Sequence, residues 1–290
     1  MPAEVIKLVH AMISLMHQSL HLLRRMFDRC SGREELGPPS CELDADAASA
    51  MIEDLLRSGR PAMVGRFGCT EMSCLHNYLE IGKAGRNPLD YITGRRDQWW
   101  WNKNIMRQMR EWSGFFPAAP EYLARFCELM LRDMMELDIL GSWLPYEREV
   151  MPMIRDVPRV RLLNLEPYWS SRPWSRALEG RKVLVVHPFA ESITLQYERN
   201  RERIFENPEV LPSFSLETLA AVQSLGAGPD RFADWFEALA WMEGEMDRRD
   251  YDVCLIGCGA YGFHLAAHAK RRGTVSYTHL RAHETKANLV

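Results

Sequence analysis

Arg66, Gly68 and Glu71 lie within six residues of one another at the end of the short apolar run Pro61 to Val64, and the helical pattern Met72, Leu75, Leu79 starts directly after them. These residue types suit a phosphorylated ligand. The planar guanidinium can hold phosphate oxygens, a residue without Cβ lets the ligand approach the backbone, and the carboxylate can bind a sugar hydroxyl or a metal. A strand end that turns into a helix start adds unpaired N–H groups and the helix dipole, which both favour an anion. The spacing also fits a buried Arg66–Glu71 ion pair that only fixes the turn. Thr70, between them, is a further candidate for the ligand.

Two more strand ends carry comparable chemistry. Lys182 to Val186 is apolar on both faces, as buried parallel strands are, and runs into His187-Pro188-Phe189-Ala190-Glu191-Ser192, where a helix begins. On that helix Ser192, Gln196, Arg199 and Arg203 fall at i, i+4, i+7 and i+11, on one side. That side is either solvated or, at Ser192 and Gln196 near the strand end, turned to a ligand together with His187. The strand Tyr251 to Ile256 leads into Gly257-Cys258-Gly259-Ala260-Tyr261-Gly262 and a helix from Phe263 to Arg272, stopped by Gly273. Gly-x-Gly-x-x-Gly between strand and helix is the context of the dinucleotide fingerprint. The motif comes late in the chain, however, so a loop facing phosphate or ribose is the expectation, with Gly257, Gly259, Tyr261 and Gly262 as its residues. Trp99-Trp100-Trp101 places three indoles that cannot all face one core. One of them either stacks on a sugar or base in a cleft, or the group pins its loop to the body.

The frame that must position these groups reads as α/β. The chain has 290 residues, enough for one large or two modest domains. Its formal net charge of -3 leaves no basic excess for a nucleic-acid backbone. Seven cysteines, an odd number with no Cys-x-x-Cys, read as reduced thiols of a cytoplasmic protein, with neither a disulfide framework nor a zinc site. Residues 1–29 hold an amphipathic helix over Val5 to Phe27. Its polar interruptions rule out a membrane span, and it suits packing on the body of the protein, a homodimer contact, or peripheral attachment to a membrane surface through its Arg24-Arg25 end. Residues 30–43 read as a linker, and 44–274 as one Rossmann-like domain with a mostly parallel sheet flanked by helices. Asp44 or Asp46 is expected to cap a helix ending at Gly59. Helices are expected at 69–81, 102–112, 120–137 and 232–248, and also at 216–225. Strands are expected at 139–143 and 160–165.

Residues 275–290 break the pattern. Val275 to Thr285 shows neither alternation nor an apolar run, and it looks like the translation of a transposase adapter used in sequencing libraries. The expectation is therefore a non-native, loosely packed tail and a truncated C-terminus, with no functional weight on His279 and His283.

Taken together, Arg66-Phe67-Gly68-x-x-Glu71, the segment Val183 to Ser192 with Gln196, and the Gly257 to Gly262 turn resemble the GT-D-type glycosyltransferase fold, once a domain of unknown function in bacterial glycan gene clusters. Leu140-Gly141-Ser142-Trp143 and the run from Leu211-Pro212 through Phe214 to Gln223-Ser224 also look like that group, so the resemblance spans about residues 48 to 273. It implies a single Rossmann-like catalytic domain that takes a nucleotide-sugar donor, most often a UDP-sugar, and transfers the sugar to an acceptor hydroxyl in surface polysaccharide or glycoconjugate synthesis. It implies catalytic roles for Glu71 and Arg66. Better-known members carry Asp-x-Glu in the first motif, associated with a metal; here Cys69 stands in the aspartate position. A thiol with one carboxylate is a poor site for magnesium or manganese, so no metal ligand is assigned. Two other functions fit parts of the sequence. The glycine turn alone fits an NAD(P)-dependent oxidoreductase or epimerase, and the missing aspartate fits a non-catalytic nucleotide-binding scaffold protein.

Overall fold

A computed structural model of the chain describes residues 3–32, 37–224 and 231–278. The strands are β1 (Ala62–Gly65), β2 (Ile139–Ser142), β3 (Arg159–Arg161), β4 (Lys182–His187), β5 (Ser215–Ala220), β6 (Val253–Ile256) and β7 (Val275–Thr278). The helices are α1 (Ala3–Ser31), α2 (Ala45–Arg57), α3 (Cys69–Gly82), α4 (Pro88–Ile92), α5 (Lys103–Glu111), α6 (Pro120–Asp133), α7 (Glu147–Val150), α8 (Ala190–Ile204), α9 (Trp235–Asp247) and α10 (Tyr261–Arg271). Two compact units result: residues 1–36 with 76–102, and residues 37–75 with 103–290.

The larger unit is an α/β domain around a seven-stranded sheet in the order β3-β2-β1-β7-β6-β4-β5, with every pair parallel. On one face Val183, Val185, Val253 and Val275 pack with Ala48, Ile52 and Leu56 of α2 and with Trp174 and Leu178. The pleat turns Leu184 and Val186 to the other face. A second cluster joins Phe115, Phe126 of α6, Trp235 of α9 and Tyr261 of α10, with Trp235 wholly buried and its ring stacked on Tyr261 at 4.9 Å. A buried side chain of this size contributes roughly 1.5–3 kcal/mol or more. Asp44 is the N-cap of α2, its carboxylate accepting from the Ala47 N–H at 2.7 Å, and Gly59 stops the helix with φ at +70°.

The route of the chain matters for function. From β4 the chain passes through α8 outward to β5, whereas from β6 it passes through α10 inward to β7. The two connections diverge, so the carboxyl ends of β4 and β6 border a topological switch point, where open parallel sheets bind ligands.

Three expectations need correction. Residues 216–225 were expected to be helical, yet Ser215–Ala220 is the edge strand β5, paired to β4 along its whole length. Leu216 and Thr218 are half-buried and Leu219 is buried, while Ser215, Glu217 and Ala220 are exposed, so pairing with an open sheet edge overrides the helix propensity of Leu, Glu and Ala. Of the strand expected at 160–165, only Val160 and Arg161 pair, in a strand that begins at Arg159; Leu162–Leu165 is a 3₁₀ turn. The third concerns the tail. Val275–Thr278, expected to be loose, is the central strand β7 between β1 and β6, with every residue buried. Val275 and Tyr277 enter the core, and the Tyr277 ring lies 4.4 Å from Trp174. The slot between β1 and β6 demands a strand, and alternating Val-Ser-Tyr-Thr fills it. Residues 279–290, with His279 and His283, lie outside the described residues.

In the smaller unit α1 packs one face on the loop around α4. His17 stacks on Trp100 at 3.9 Å, the His21 ring nitrogen shares a 2.7 Å hydrogen bond with the Tyr91 hydroxyl, and Arg24 pairs with Asp97 at 2.7 Å. Trp99 and Trp100 close on Tyr91, so these two indoles pin their loop. The remaining faces of α1 expose Leu8, Met12 and Leu15. No helix among the described residues is long and apolar enough to cross a membrane.

Candidate functional site

At the carboxyl ends of the strands a cleft of about 450 Å³ opens within the larger unit. Its walls come from the turns after β1, β2, β4, β5 and β6 and from the segment after α5.

The first wall is Arg66 to Glu71. Phe67 anchors it: the side chain is wholly buried, its ring sits 5.2 Å from Phe263, and its carbonyl accepts from Trp143 Nε1 at 2.9 Å. Trp143 is held in turn by Glu147. That buried carboxylate accepts the N–H groups of Trp143 and Leu144 at 3.0 Å each, and the Ser142 hydroxyl also donates to it. Burial raises the Glu147 pKa against the lowering effect of these bonds. Gly68 precedes the first residue of α3, and the Glu71 carboxylate folds back over it, so closely that a Cβ on Gly68 would stand 1.9 Å from Oε2. Glu71 thus lies at its own helix N-terminus, where the dipole favours an anion. It is also the one carboxylate in the cleft wall among the described residues.

The second wall is the glycine turn. The Gly257 N–H donates to the Val186 carbonyl at 2.9 Å. Gly259 takes φ at +60°, the left-handed region that a side chain disfavours, and the Ala260 N–H reaches the Ser113 carbonyl at 3.4 Å. Tyr261 is committed to packing. The Ser224 hydroxyl donates to the Gly114 carbonyl at 2.5 Å, so the Tyr261 hydroxyl donates to Ser224 Oγ at 3.0 Å. Pro188 and Phe189, ahead of α8, form the third wall. The N-termini of α3, α8 and α10 therefore border one cleft, and neither α8 nor α10 carries a side-chain cap.

Arg66, Gly68, Thr70, Glu71, Gly257, Gly259, Tyr261 and Gly262, all expected at the site, line this cleft. Three others do not. His187 is wholly buried beneath it, with Nδ1 accepting the Phe189 N–H at 3.0 Å. Burial alone brings its pKa down to about 4, so the ring is neutral. It shapes the turn and takes no place in the wall. Ser192 is exposed on α8, and the Gln196 carbonyl oxygen accepts from Asn200 at 2.6 Å. The reason is that α8 leaves the strand end to pack on β5, with the Thr194 and Thr218 hydroxyls 3.0 Å apart.

Trp112 and His264, which carry no sequence signal, also line the cleft, as do Trp143 and Gln223, which the sequence marks only through the family resemblance. Among the described residues no three His, Cys, Asp or Glu side chains gather as a metal-binding group. Cys69 and Glu71 offer a thiol and a single carboxylate, a donor set that does not fit a hard divalent cation. Compared with protein-family models, with curated proteins and with solved structures, the chain finds no match in any of the three.

Proposed function

We propose that the protein is a glycosyltransferase that moves a sugar from a nucleotide-sugar donor, a UDP-sugar foremost, to an acceptor hydroxyl in bacterial surface polysaccharide or glycoconjugate synthesis. One observation carries the reading. Three helix N-termini and Arg66 border a single cleft beside the switch point of a parallel sheet, an arrangement suited to a diphosphate. The cleft volume of about 450 Å³ falls within the range of small-molecule sites.

Arg66 and the α10 turn receive the diphosphate and stabilise the charge that grows on it as the sugar leaves. Gly257, Gly259 and Gly262 let the donor lie close to the backbone, Gly68 makes room for the Glu71 carboxylate, and Thr70 lines the same wall. Glu71 holds a donor hydroxyl or the acceptor. No step is assigned to a metal, because the donor set around Glu71 does not suit one. The site is placed in the cytoplasm, with the apolar face of α1 supporting a homodimer contact or attachment at the inner membrane surface. No nucleic acid is involved.

The rival NAD(P) reading finds less support. The acidic residue that would hold a ribose about 20 positions after the first glycine has no counterpart in Val275–Thr278. A Cβ on Gly262 would stand 3.6 Å from Ile256, an ordinary contact, so the close helix approach served by the third glycine of that fingerprint is not needed. A thermal-shift panel of UDP-, GDP- and dTDP-sugars and NAD(H), with and without manganese, tests the reading. A ligand at a hundredfold excess over its Kd stabilises by about 2.7 kcal/mol. Stabilisation by NAD(H) alone would overturn the proposal, and binding without sugar transfer would favour the scaffold alternative.

A further inference from the structure

The cleft reaches inward past the glycine turn to Phe126, Met130 and His264. His264 stands in the first turn of α10 and is almost wholly buried, between Phe126 at 5.2 Å and Trp235 at 5.3 Å. Its Nδ1 lies 2.8 Å from Asp133 Oδ2 at the end of α6, and Asp133 Oδ1 lies 2.8 Å from the Arg271 guanidinium. Its Nε2 has no hydrogen-bond partner among the described residues. Most buried polar atoms are paired, and this unpartnered one belongs to a side chain that lines the cleft, so a group entering there can pair with it. Burial pushes the Asp133 carboxyl up, but the hydrogen bond from His264 and the charge and hydrogen bond of Arg271 more than offset it and leave the pKa below the ordinary value. Asp133 is therefore ionised near neutrality and can only accept. Nδ1 therefore donates to it, and in the neutral ring this leaves Nε2 with its lone pair.

We propose that His264, oriented by Asp133, is the proton acceptor for the hydroxyl that enters the cleft during sugar transfer. The inference rests on the glycosyltransferase reading and leaves Glu71 to position the donor. In the step, the acceptor oxygen bonds to the anomeric carbon and its proton passes to Nε2. The bond from that carbon to the diphosphate breaks, and the electron pair leaves with the diphosphate. Asp133 stabilises the imidazolium, as carboxylates behind catalytic histidines do. The other ionisable groups around the pair are Arg271 and His268 on α10, Glu243 on α9 and Arg132 on α6.

The experiment measures UDP release from a panel of UDP-sugars, with methyl glycosides as acceptors, by the full chain and by His264→Gln and Asp133→Asn. Glutamine keeps a hydrogen-bonding side chain but cannot take the proton. It should lower kcat by about 10²–10⁴-fold, with donor Kd and Tm little changed, and imidazole should restore turnover in His264→Ala. Wild-type kcat/KM should fall as pH drops through one ionisation. Asp133→Asn removes the carboxylate charge and should move that limb to lower pH, a shift that a purely structural pair would not produce. Full activity in His264→Gln overturns the inference alone. An inactive wild type overturns the glycosyltransferase reading and this role with it. Should the variants not fold, a wild-type profile without that ionisation between about pH 5 and 8 overturns it.

Discussion

Replacing Gly68 with alanine separates the cleft's chemistry from its stability. The three atoms nearest to a Cβ built there all belong to the Glu71 carboxyl group, the closest at 1.9 Å. Gly68 is not among the glycines with positive φ, so the backbone accepts alanine. The carboxylate must swing away by about 1.5 Å to reach the 3.4 Å of ordinary contact, and a misplacement of that order costs about 10²-fold in rate. The fold loses at most the carboxylate's favourable place at the helix N-terminus, about 0.3–1 kcal/mol. Lower entropy of the unfolded alanine chain offsets about 0.4–1 kcal/mol of that. Expected is a variant that melts within a few degrees of wild type but releases UDP at about one hundredth of its rate. The assay is the same UDP-sugar panel with thermal melts in parallel, and Glu71→Gln serves as the comparison. Wild-type turnover with an unchanged melt would refute a positioning role for Glu71. A loss of several kcal/mol would show that Glu71 serves the helix rather than the ligand.

Three more outcomes follow from the geometry. The His187 pKa stands at about 4 in the folded chain against an ordinary 6.5, so the unfolded chain binds more protons between those values. The stability it confers is complete above pH 6.5 and is lost as pH falls towards about 4, at most about 3 kcal/mol. Urea titrations across this range should show a shallower loss in His187→Asn, and parallel curves would exclude the assignment. Glu147→Ala leaves two backbone N–H groups and a hydroxyl unpaired near Trp143, at about 3 kcal/mol or more and roughly 10 °C in Tm; a loss under 1 kcal/mol would contradict the account of that turn. Gly141→Ala drives a Cβ to 2.4 Å from the buried Leu165 side chain, costing about 1–3 kcal/mol by denaturant titration, in contrast to the near-neutral change at Gly68.

The parts of the fold legible in the sequence are those where local pattern and tertiary role agree. Lys182 to Val186 reads as a buried strand because both its faces meet apolar layers, and the glycine turn reads as a strand-to-helix junction because Gly259 needs its left-handed φ. Arg66 and Glu71 were legible for the same reason, since strand, turn and helix start follow in one short stretch. The edge strand β5 was not, because Ser-Leu-Glu-Thr-Leu-Ala is held as a strand only by β4 beside it. Ser192 and Gln196 misled because spacing along a helix fixes which residues share a side and leaves open which way that side faces. His264 was invisible for a further reason. Its meaning depends on Asp133, 131 positions earlier, and no local window contains both.

The position of β7 bears on how the chain reaches this state. Strands β1, β2 and β3 form one parallel group and β4, β5 and β6 another, and β7 alone joins them. Of the strands described it is the last to be synthesised. Until residues 275–278 emerge, β1 and β6 each present an open inner edge, able to pair with a neighbouring chain. Non-local parallel pairing is slow to form, so the nascent chain passes through an interval with two adhesive half-sheets and no completed core. Expression yield is thus tied to the last few residues of the sheet, and substitutions that weaken β7 should show first as aggregation during synthesis.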